Sequence, residues 1–385
     1  MRVEIREYTE ADRDTVFRMR KLAFAGSAPP PDRLVTPGRT GLLAEDHGQP
    51  LGSLMVNDFA QYFGGRAVPM GGVSAVVVDP HARGRGVAST LLDTALRTMR
   101  ERGQALSVLY PTVPALYRGF GWERAGVHER VDFTMDRLLM SPRAPRGLAT
   151  RRATEADLAD AHACYTAFAA TADGMLDRHA PAFAWEKLLD LDVMTLVHDD
   201  EGALRGYLTA ERERERLKVD DLVGLDPAAQ LTLLAELTSW AGVLGKVSLR
   251  IADPAFTDLL TAQAIHNDVK TSQWMMRVVD LPAAVAARGW PNAEGMRPAA
   301  VDLDVVDGHA PWHAGPRRLV VDDDGVRVEP GGTGAVRVHA RALGPWFSGV
   351  QSTRALRRAG LLEGDAPLLD RLAAAPGTPR LADFF

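Results

Sequence analysis

The residues whose types and spacing point most directly to chemistry lie in the run Val76-Val77-Val78-Asp79-Pro80-His81-Ala82-Arg83-Gly84-Arg85-Gly86-Val87-Ala88-Ser89-Thr90-Leu91-Leu92. Two arginines alternate with two glycines just ahead of an apolar segment with helical spacing. Backbone N–H groups at a helix start lack intrahelical partners, and the helix dipole leaves partial positive charge there. Gly84 and Gly86 let a ligand approach the backbone without Cβ interference. Arg83 and Arg85 add full charges. Together these features describe a seat for a pyrophosphate. The run lacks the third glycine of a G-x-G-x-x-G fingerprint and the Gly-Lys-Ser/Thr of a Walker loop. The competing interpretation is an ordinary strand–helix turn with solvated arginines.

Flanking elements must position this loop. Val76, Val77 and Val78 favour a strand packed on both sides, which Asp79-Pro80 ends. Leu91, Leu92, Ala95, Leu96 and Met99 then mark a helix that Gly103 stops. Upstream, residues 3–7 alternate as a strand. Thr9 reads as the N-cap of a helix carrying Val16, Phe17, Met19, Arg20 and Phe24. Residues 25–40 are rich in Pro and Gly and are expected to form a mobile loop. Strands are predicted at 42–45 and 51–56, around His47-Gly48-Gln49-Pro50, and at 68–78 and 105–110. A short helix at 115–120 and a closing strand region at 122–133 follow, with a Pro- and Arg-rich linker at 141–147.

The pattern then restarts. Arg151-Arg152-Ala153-Thr154-Glu155-Ala156-Asp157 echoes Arg6-Glu7-Tyr8-Thr9-Glu10-Ala11-Asp12 at an offset of 145 (154 minus 9). Leu222-Val223-Gly224-Leu225-Asp226-Pro227 echoes Val76-Val77-Val78-Asp79-Pro80 at an offset of 147 (226 minus 79). Two matches at nearly one offset argue for a duplicated domain. After Asp226-Pro227 the helix begins at once, so the second copy lacks the glycine–arginine loop and is expected not to bind the same polyanion; its helix, 227–241, reads as plainly amphipathic. Residues 274–280 read as a strand leading into a helix at 281–290. A third region has short strands at 301–306, 319–321, 326–328 and 336–338, then helices near 353–359 and 366–375. Its last residues, Leu381-Ala382-Asp383-Phe384-Phe385, are too apolar for a frayed tail and are expected to dock.

The 385 residues suggest two or three domains. A net charge of −5 argues against a general nucleic-acid binder and mildly favours a cationic substrate. The one cysteine, Cys164, excludes an intramolecular disulfide and fits a reducing cytosol; it reads as core, not as an acetyl-carrying nucleophile. No apolar run spans a membrane, the first residues do not read as a signal peptide, and no metal-ligand spacing occurs, so a cytoplasmic location without metal is expected. The charge run Glu211–Arg216 reads as a solvated strand edge.

The loop Arg83-Gly84-Arg85-Gly86-Val87-Ala88 resembles the acyl-CoA loop of the GNAT acetyltransferases. With Leu116-Tyr117-Arg118-Gly119-Phe120-Gly121-Trp122, Met276-Arg277-Val278-Val279-Asp280 and the aromatic terminus, the whole chain resembles the Eis-type acetyltransferases. The resemblance implies an α/β (α+β) chain of three domains. These are a catalytic GNAT domain at 1–142, a degenerate GNAT domain at 147–288 and a sterol-carrier-like domain at 289–385. It implies acetyl-CoA as cosubstrate, a primary amine as acceptor and a homo-hexamer, a trimer of dimers. Val76, Val77 and Val78 would lend backbone groups to the pantetheine arm. Arg83, Gly84, Arg85, Gly86, Val87, Ala88 and Ser89 would hold the phosphates, with Thr112 near the acetyl group. Tyr117 would protonate the departing thiolate, and the α-carboxylate of Phe385 would accept the amine's proton. Residues 25–40 would line the amine pocket.

Acetyl transfer to an amine requires loss of an ammonium proton, polarisation of the thioester carbonyl and protonation of the thiolate. A phenol with pKa near ~10 lies within a few units of a thiol near ~8.5. Tyr110, which ends the strand beside the loop, is the rival to Tyr117. A terminal carboxylate near ~3.5 is a weak base in water, and burial would raise it. It could act directly, through a water, or by attracting the ammonium. The alternative function is a non-catalytic acyl-CoA or lipid carrier.

Overall fold

The computed structural model describes residues 3–25, 32–261 and 264–385. The first third holds β1 (Glu4–Glu7), α1 (Arg13–Phe24), β2 (Arg39–Asp46), β3 (Gln49–Phe63), β4 (Arg66–Val78), α2 (Val87–Glu101), β5 (Leu106–Leu109), α3 (Pro114–Gly119) and β6 (Glu123–Thr134). The middle holds β7 (Leu148–Arg152), α4 (Leu158–Ala169), β8 (Val193–Asp199), β9 (Leu204–Arg212), β10 (Arg216–Gly224), α5 (Pro227–Thr238), β11 (Lys246–Ile251), α6 (Ala255–Leu259), β12 (Val269–Val278) and α7 (Leu281–Ala287). The last part holds β13 (Ala299–Val306), β14 (Gly315–Asp322), β15 (Gly325–Pro330), β16 (Val336–His339), α8 (Ala340–Phe347), α9 (Thr353–Arg358), β17 (Leu362–Glu363) and α10 (Pro367–Ala373).

Among the described residues, the first twelve strands form one sheet in the order β1-β2-β3-β4-β5-β12-β6-β11-β10-β9-β8-β7. The two halves exchange their last strands. β12 pairs antiparallel with β5, Met276 opposite Val108, and β6 pairs antiparallel with β11, Val131 opposite Leu249. Each half is therefore completed by the other.

The duplication is physical as well as textual. Arg6 donates two hydrogen bonds to Asp12 (2.7 and 2.8 Å), and Asp12 accepts from the Thr9 N–H at 2.7 Å. Arg151 grips Asp157 in the same way (2.6 and 2.8 Å), with the Thr154 N–H at 2.8 Å. Thr9 and Thr154 each begin a capping box that orders the following helix. Of the residues that the helix was expected to carry, Val16 is buried in α1 and Phe24 is exposed at its end. α5 buries more than one stripe, since Gln230, Thr232, Leu233, Leu234 and Leu237 all leave solvent. The charge run at 211–216 forms the tip between β9 and β10.

A five-stranded sheet, β15-β14-β13-β16-β17, forms the C-terminal unit. α8 closes it against the large sheet. A Cβ on Gly344 would stand 2.6 Å from the Met276 carbonyl of β12, so glycine permits this contact. The interior is filled by Leu303, Val305, Leu319, Leu343, Phe347 and Leu372, continuous with Met70, Leu106 and Trp274. The tail docks as expected: Leu381 and Ala382 are buried, the Val127 N–H donates to the Pro379 carbonyl and the Leu381 N–H donates to the Val127 carbonyl (3.0 Å each).

Candidate active site

β4 and β5 run parallel for three residues, from Met70 opposite Leu106 to Gly72 opposite Val108. Beyond Gly72, β4 continues to Val78 without β5 beside it. The strands part, leaving a cleft whose floor is backbone. At the parting point β4 bulges: Met55 faces Ser74 and Ser53 faces Val77, so Ala75 and Val76 oppose a single residue. Ala75 takes φ +50°, a strained value for a residue with a Cβ. A bulge interrupts the ladder and re-aims the local groups. The Asn57 amide steadies the bulge by donating to the Gly72 carbonyl (2.9 Å) and to Ser74 Oγ (3.0 Å).

Val77 is buried while Val76 and Val78 are half-exposed along the cleft. Asp79 caps a short turn by accepting from the His81 N–H at 2.8 Å. The loop then takes Gly84 at φ +75° and Gly86 at φ +78°, conformations that favour glycine. A Cβ on either would meet nothing within 4 Å, so the loop's outer face is open. α2 begins at Val87 with Gly86 as N-cap and no side chain covering the helix end. Arg83 and Arg85 are exposed beside it, and Ala88 and Ser89 lie in the first turn. The loop thus brings together two exposed arginines, two left-handed glycines and a helix start that no side chain caps.

The second copy differs at this point. Asp226 accepts from the Ala229 N–H at 2.9 Å, capping α5 with a carboxylate. A phosphate at that helix end would have to displace this carboxylate, which also takes the Arg205 guanidinium at 2.6 Å. The adjoining cleft, about 500 Å³, is lined by Gly224, Asp226 and Ala252 and by tail residues Pro376–Thr378.

Two sequence-predicted groups meet in the segment that follows β5. Tyr117 is buried, and the Thr112 side chain hydrogen-bonds its hydroxyl. Burial raises the Tyr117 pKa above 10, so the phenol holds its proton at neutral pH. α3 owes its placement to a residue 160 positions beyond Tyr117 (277 minus 117): a Cβ on Gly121, which takes φ +91°, would stand 2.8 Å from the Arg277 guanidinium. Arg277 is buried, with Asp307 at 2.6 Å.

The tail reaches the cleft from the other side of the sheet. The Phe385 ring packs on Phe59, with centroids 5.1 Å apart, and lies against Gly72. Phe384 is exposed and stacks on Tyr110 at 4.3 Å. Tyr110, the rival acid, donates its hydroxyl proton to the Asp383 carbonyl at 2.8 Å. Its hydroxyl is committed to the tail. Cys164 is buried among Tyr165, Phe168 and Trp185, and its thiol is pushed up to about 12 by burial.

The model of an acetyltransferase (GNAT) domain matches residues 4–125, a second such model matches 174–278, and a sterol carrier protein domain matches 281–381. The chain carries tandem GNAT domains followed by a sterol carrier protein domain, the arrangement of its Eis-like N-acetyltransferase homologues. An uncharacterized N-acetyltransferase of Streptomyces coelicolor is 29% identical over 77% of this chain and 75% of its own length. The N-acetyltransferase Eis of Mycobacterium tuberculosis is 26% identical over 80% of this chain and 78% of its own. The crystal structure of a GCN5-related N-acetyltransferase from Anabaena variabilis superposes over the whole of both chains with a TM-score of 0.87 at 26% identity. The Eis-like plan thus comprises tandem GNAT domains and a sterol-carrier domain. Sequence reading missed three features of it: the exchange of β6 and β12, helix α8, and the buried partners of the tail in the central domain. Of residues 25–40, positions 26–31 lie outside the described residues.

Proposed function

We propose that this GNAT domain transfers acetyl from acetyl-CoA to a primary amine by direct attack in a ternary complex. The observation that carries the reading is the contrast between copies: an open, left-handed glycine–arginine loop ahead of α2, against a carboxylate cap ahead of α5. Arg83 to Ser89 would hold the diphosphate, and Val76 to Val78 the pantetheine. The acetyl carbon would lie at the β4 bulge, where a backbone N–H can polarise the carbonyl. The amine nitrogen attacks that carbon and its proton passes to the Phe385 α-carboxylate, directly or through a water. The C–S bond breaks and the thiolate takes the Tyr117 phenolic proton, with Thr112 orienting the hydroxyl. Acetyl-CoA supplies the activated thioester; metal is not part of the proposed mechanism.

The acceptor belongs to the aminoglycoside, polyamine or lysine class, approaching past Phe384. The filled interior of the C-terminal unit supports catalysis over lipid carriage. No helix among the described residues is long and apolar enough to cross a membrane; a cytoplasmic hexamer remains part of the proposal, checked by light scattering. Thiol release from acetyl-CoA across a panel of kanamycin, spermidine and a lysine peptide tests the function. Amine-dependent release supports it. Tight lipid binding with no release for any amine overturns it.

A further inference from the structure

The central GNAT domain keeps a fold without an open cofactor loop, and the structure points to what it does instead. Arg178 lies in the segment between α4 and β8, with its side chain 2% exposed. All five of its guanidinium N–H groups are used. Nε and Nη2 donate to Asp383 (3.3 and 2.9 Å), Nη1 and Nη2 to Asp221 (2.6 and 2.9 Å), and Nη1 to the Tyr207 hydroxyl (3.2 Å). The Tyr165 and Phe183 rings lie 4.0 and 4.6 Å from the guanidinium carbon. An arginine held this completely presents a fixed fork to Asp383.

Asp383 lies two residues before Phe385. Around it the backbone is gripped as well. Arg250 of β11 donates to the Ala382 carbonyl (2.8 Å), His128 of β6 to the Leu381 carbonyl (3.0 Å) and Tyr110 to the Asp383 carbonyl (2.8 Å). The far side of the clamp is anchored at a telling position. Asp221 faces Thr209 across β10 and β9, as Ser74 faces Met55 across β4 and β3. The spot that borders the reaction cleft in the first copy holds, in the second, the carboxylate that braces Arg178.

We propose that Arg178 is a positioning residue for the reaction in the first domain, and that the central domain's retained role is to hold residues 383–385 at the β4–β5 cleft. This deepens the reading that the Phe385 α-carboxylate accepts the amine proton, and it rests on that reading. Loosening the clamp frees the tail without touching the CoA cradle, which lies on the other side of the first domain's cleft.

The test compares wild type with Arg178→Met, Arg178→Lys and Asp383→Asn, using the amine acetylated fastest in the panel. The clamp predicts that Arg178→Met and Asp383→Asn lower kcat at pH 7.5 about 100-fold, as misplacing a proton acceptor does, with KM for acetyl-CoA changed less than twofold. The loss should shrink above pH 9, where the amine loses its proton without help; a collapsed fold would show no such recovery. Arg178→Lys should recover part of the rate. Carboxypeptidase A gives a readout independent of turnover: release of Phe385 should be at least about tenfold faster in both single variants. Wild-type kcat, or unchanged Phe385 release, in a folded Arg178→Met protein overturns the proposal while leaving the base assignment standing. Full activity of a chain extended beyond Phe385 overturns the base assignment and the proposal with it.

Discussion

The Phe385 ring occupies the space that a side chain on Gly72 would need: a Cβ at position 72 would stand 2.7 Å from Phe385 Cε2 and 2.9 Å from Phe59 Cδ2. Gly72 is the last β4 residue paired with β5. The tail's final residue therefore rests where the cleft opens. Tyr117 packs with Val73 in the layer under α2, whereas Phe385 packs with the cluster on the other face. Neighbouring residues of a strand point to opposite faces, so the proposed acid and base approach the cleft from opposite sides of one sheet.

Gly72→Ala is expected to displace the Phe385 and Phe59 rings. Steady-state kinetics should show kcat reduced about tenfold or more, with KM for acetyl-CoA nearly unchanged. Equal loss in both parameters would place the effect on the cofactor instead.

The loop glycines should act on cofactor affinity. Gly86→Ala forces a Cβ into φ +78°, a strain of roughly 1–2 kcal/mol, and is expected to raise KM for acetyl-CoA about tenfold by tilting the start of α2. Asp226→Ala removes the α5 cap and should cost about 1 kcal/mol of stability, seen as a lower Tm, without altering KM. A change in acetyl-CoA KM in Asp226→Ala would contradict the division of labour between copies.

Tyr117→Phe should lower kcat about 100-fold or more if the phenol is the proton donor, and the effect should be smallest with a thioester whose thiol is more acidic. Retention of wild-type rates across the pH range removes Tyr117 from the mechanism.

Acid sensitivity follows from His313. Its Nδ1 accepts from the Leu281 N–H (3.2 Å), which leaves the Nε2 proton to donate to Asp307 (2.8 Å). Burial, with the Arg277 charge, holds its pKa below 6.5 against the pull of Asp307. An unfolded histidine titrates near ~6.5, so below that pH the unfolded chain binds more protons and stability falls as pH drops. Asp307, held well below the usual carboxylate range by His313 and Arg277 despite burial, adds a loss of the same sign in stronger acid. Tm should fall by roughly 2 °C or more from pH 7.5 to 5.5, and His313→Gln should flatten that slope. An unchanged slope would assign it to other groups, His128 among them.

The glycine–arginine loop, the duplication and the docked terminus were legible because each rests on local chemistry: glycines at left-handed positions, the repeated Arg–Thr–Asp helix starts, and an apolar tail whose Leu381 and Ala382 are buried although Phe384 stays exposed. The exchange of β6 and β12 was not legible. Val131 meets Leu249 and Val108 meets Met276 across more than 100 residues, and no periodicity encodes which edge a strand joins. α8 was hidden by Gly344-Pro345, which reads as a break; Pro345 lies inside the helix. Arg178 stood alone among prolines, alanines and aspartates, and its partners Asp221 and Asp383 are 43 and 205 residues away. The available signal was Phe183 and Trp185 a few residues downstream.

The central claim is tested most directly by calorimetric titration of CoA into the wild-type chain, Arg83→Glu/Arg85→Glu and Asp226→Ala. The account predicts one CoA per chain, lost in the double variant and retained in Asp226→Ala. Two CoA per chain, or unchanged binding by the double variant, would contradict it.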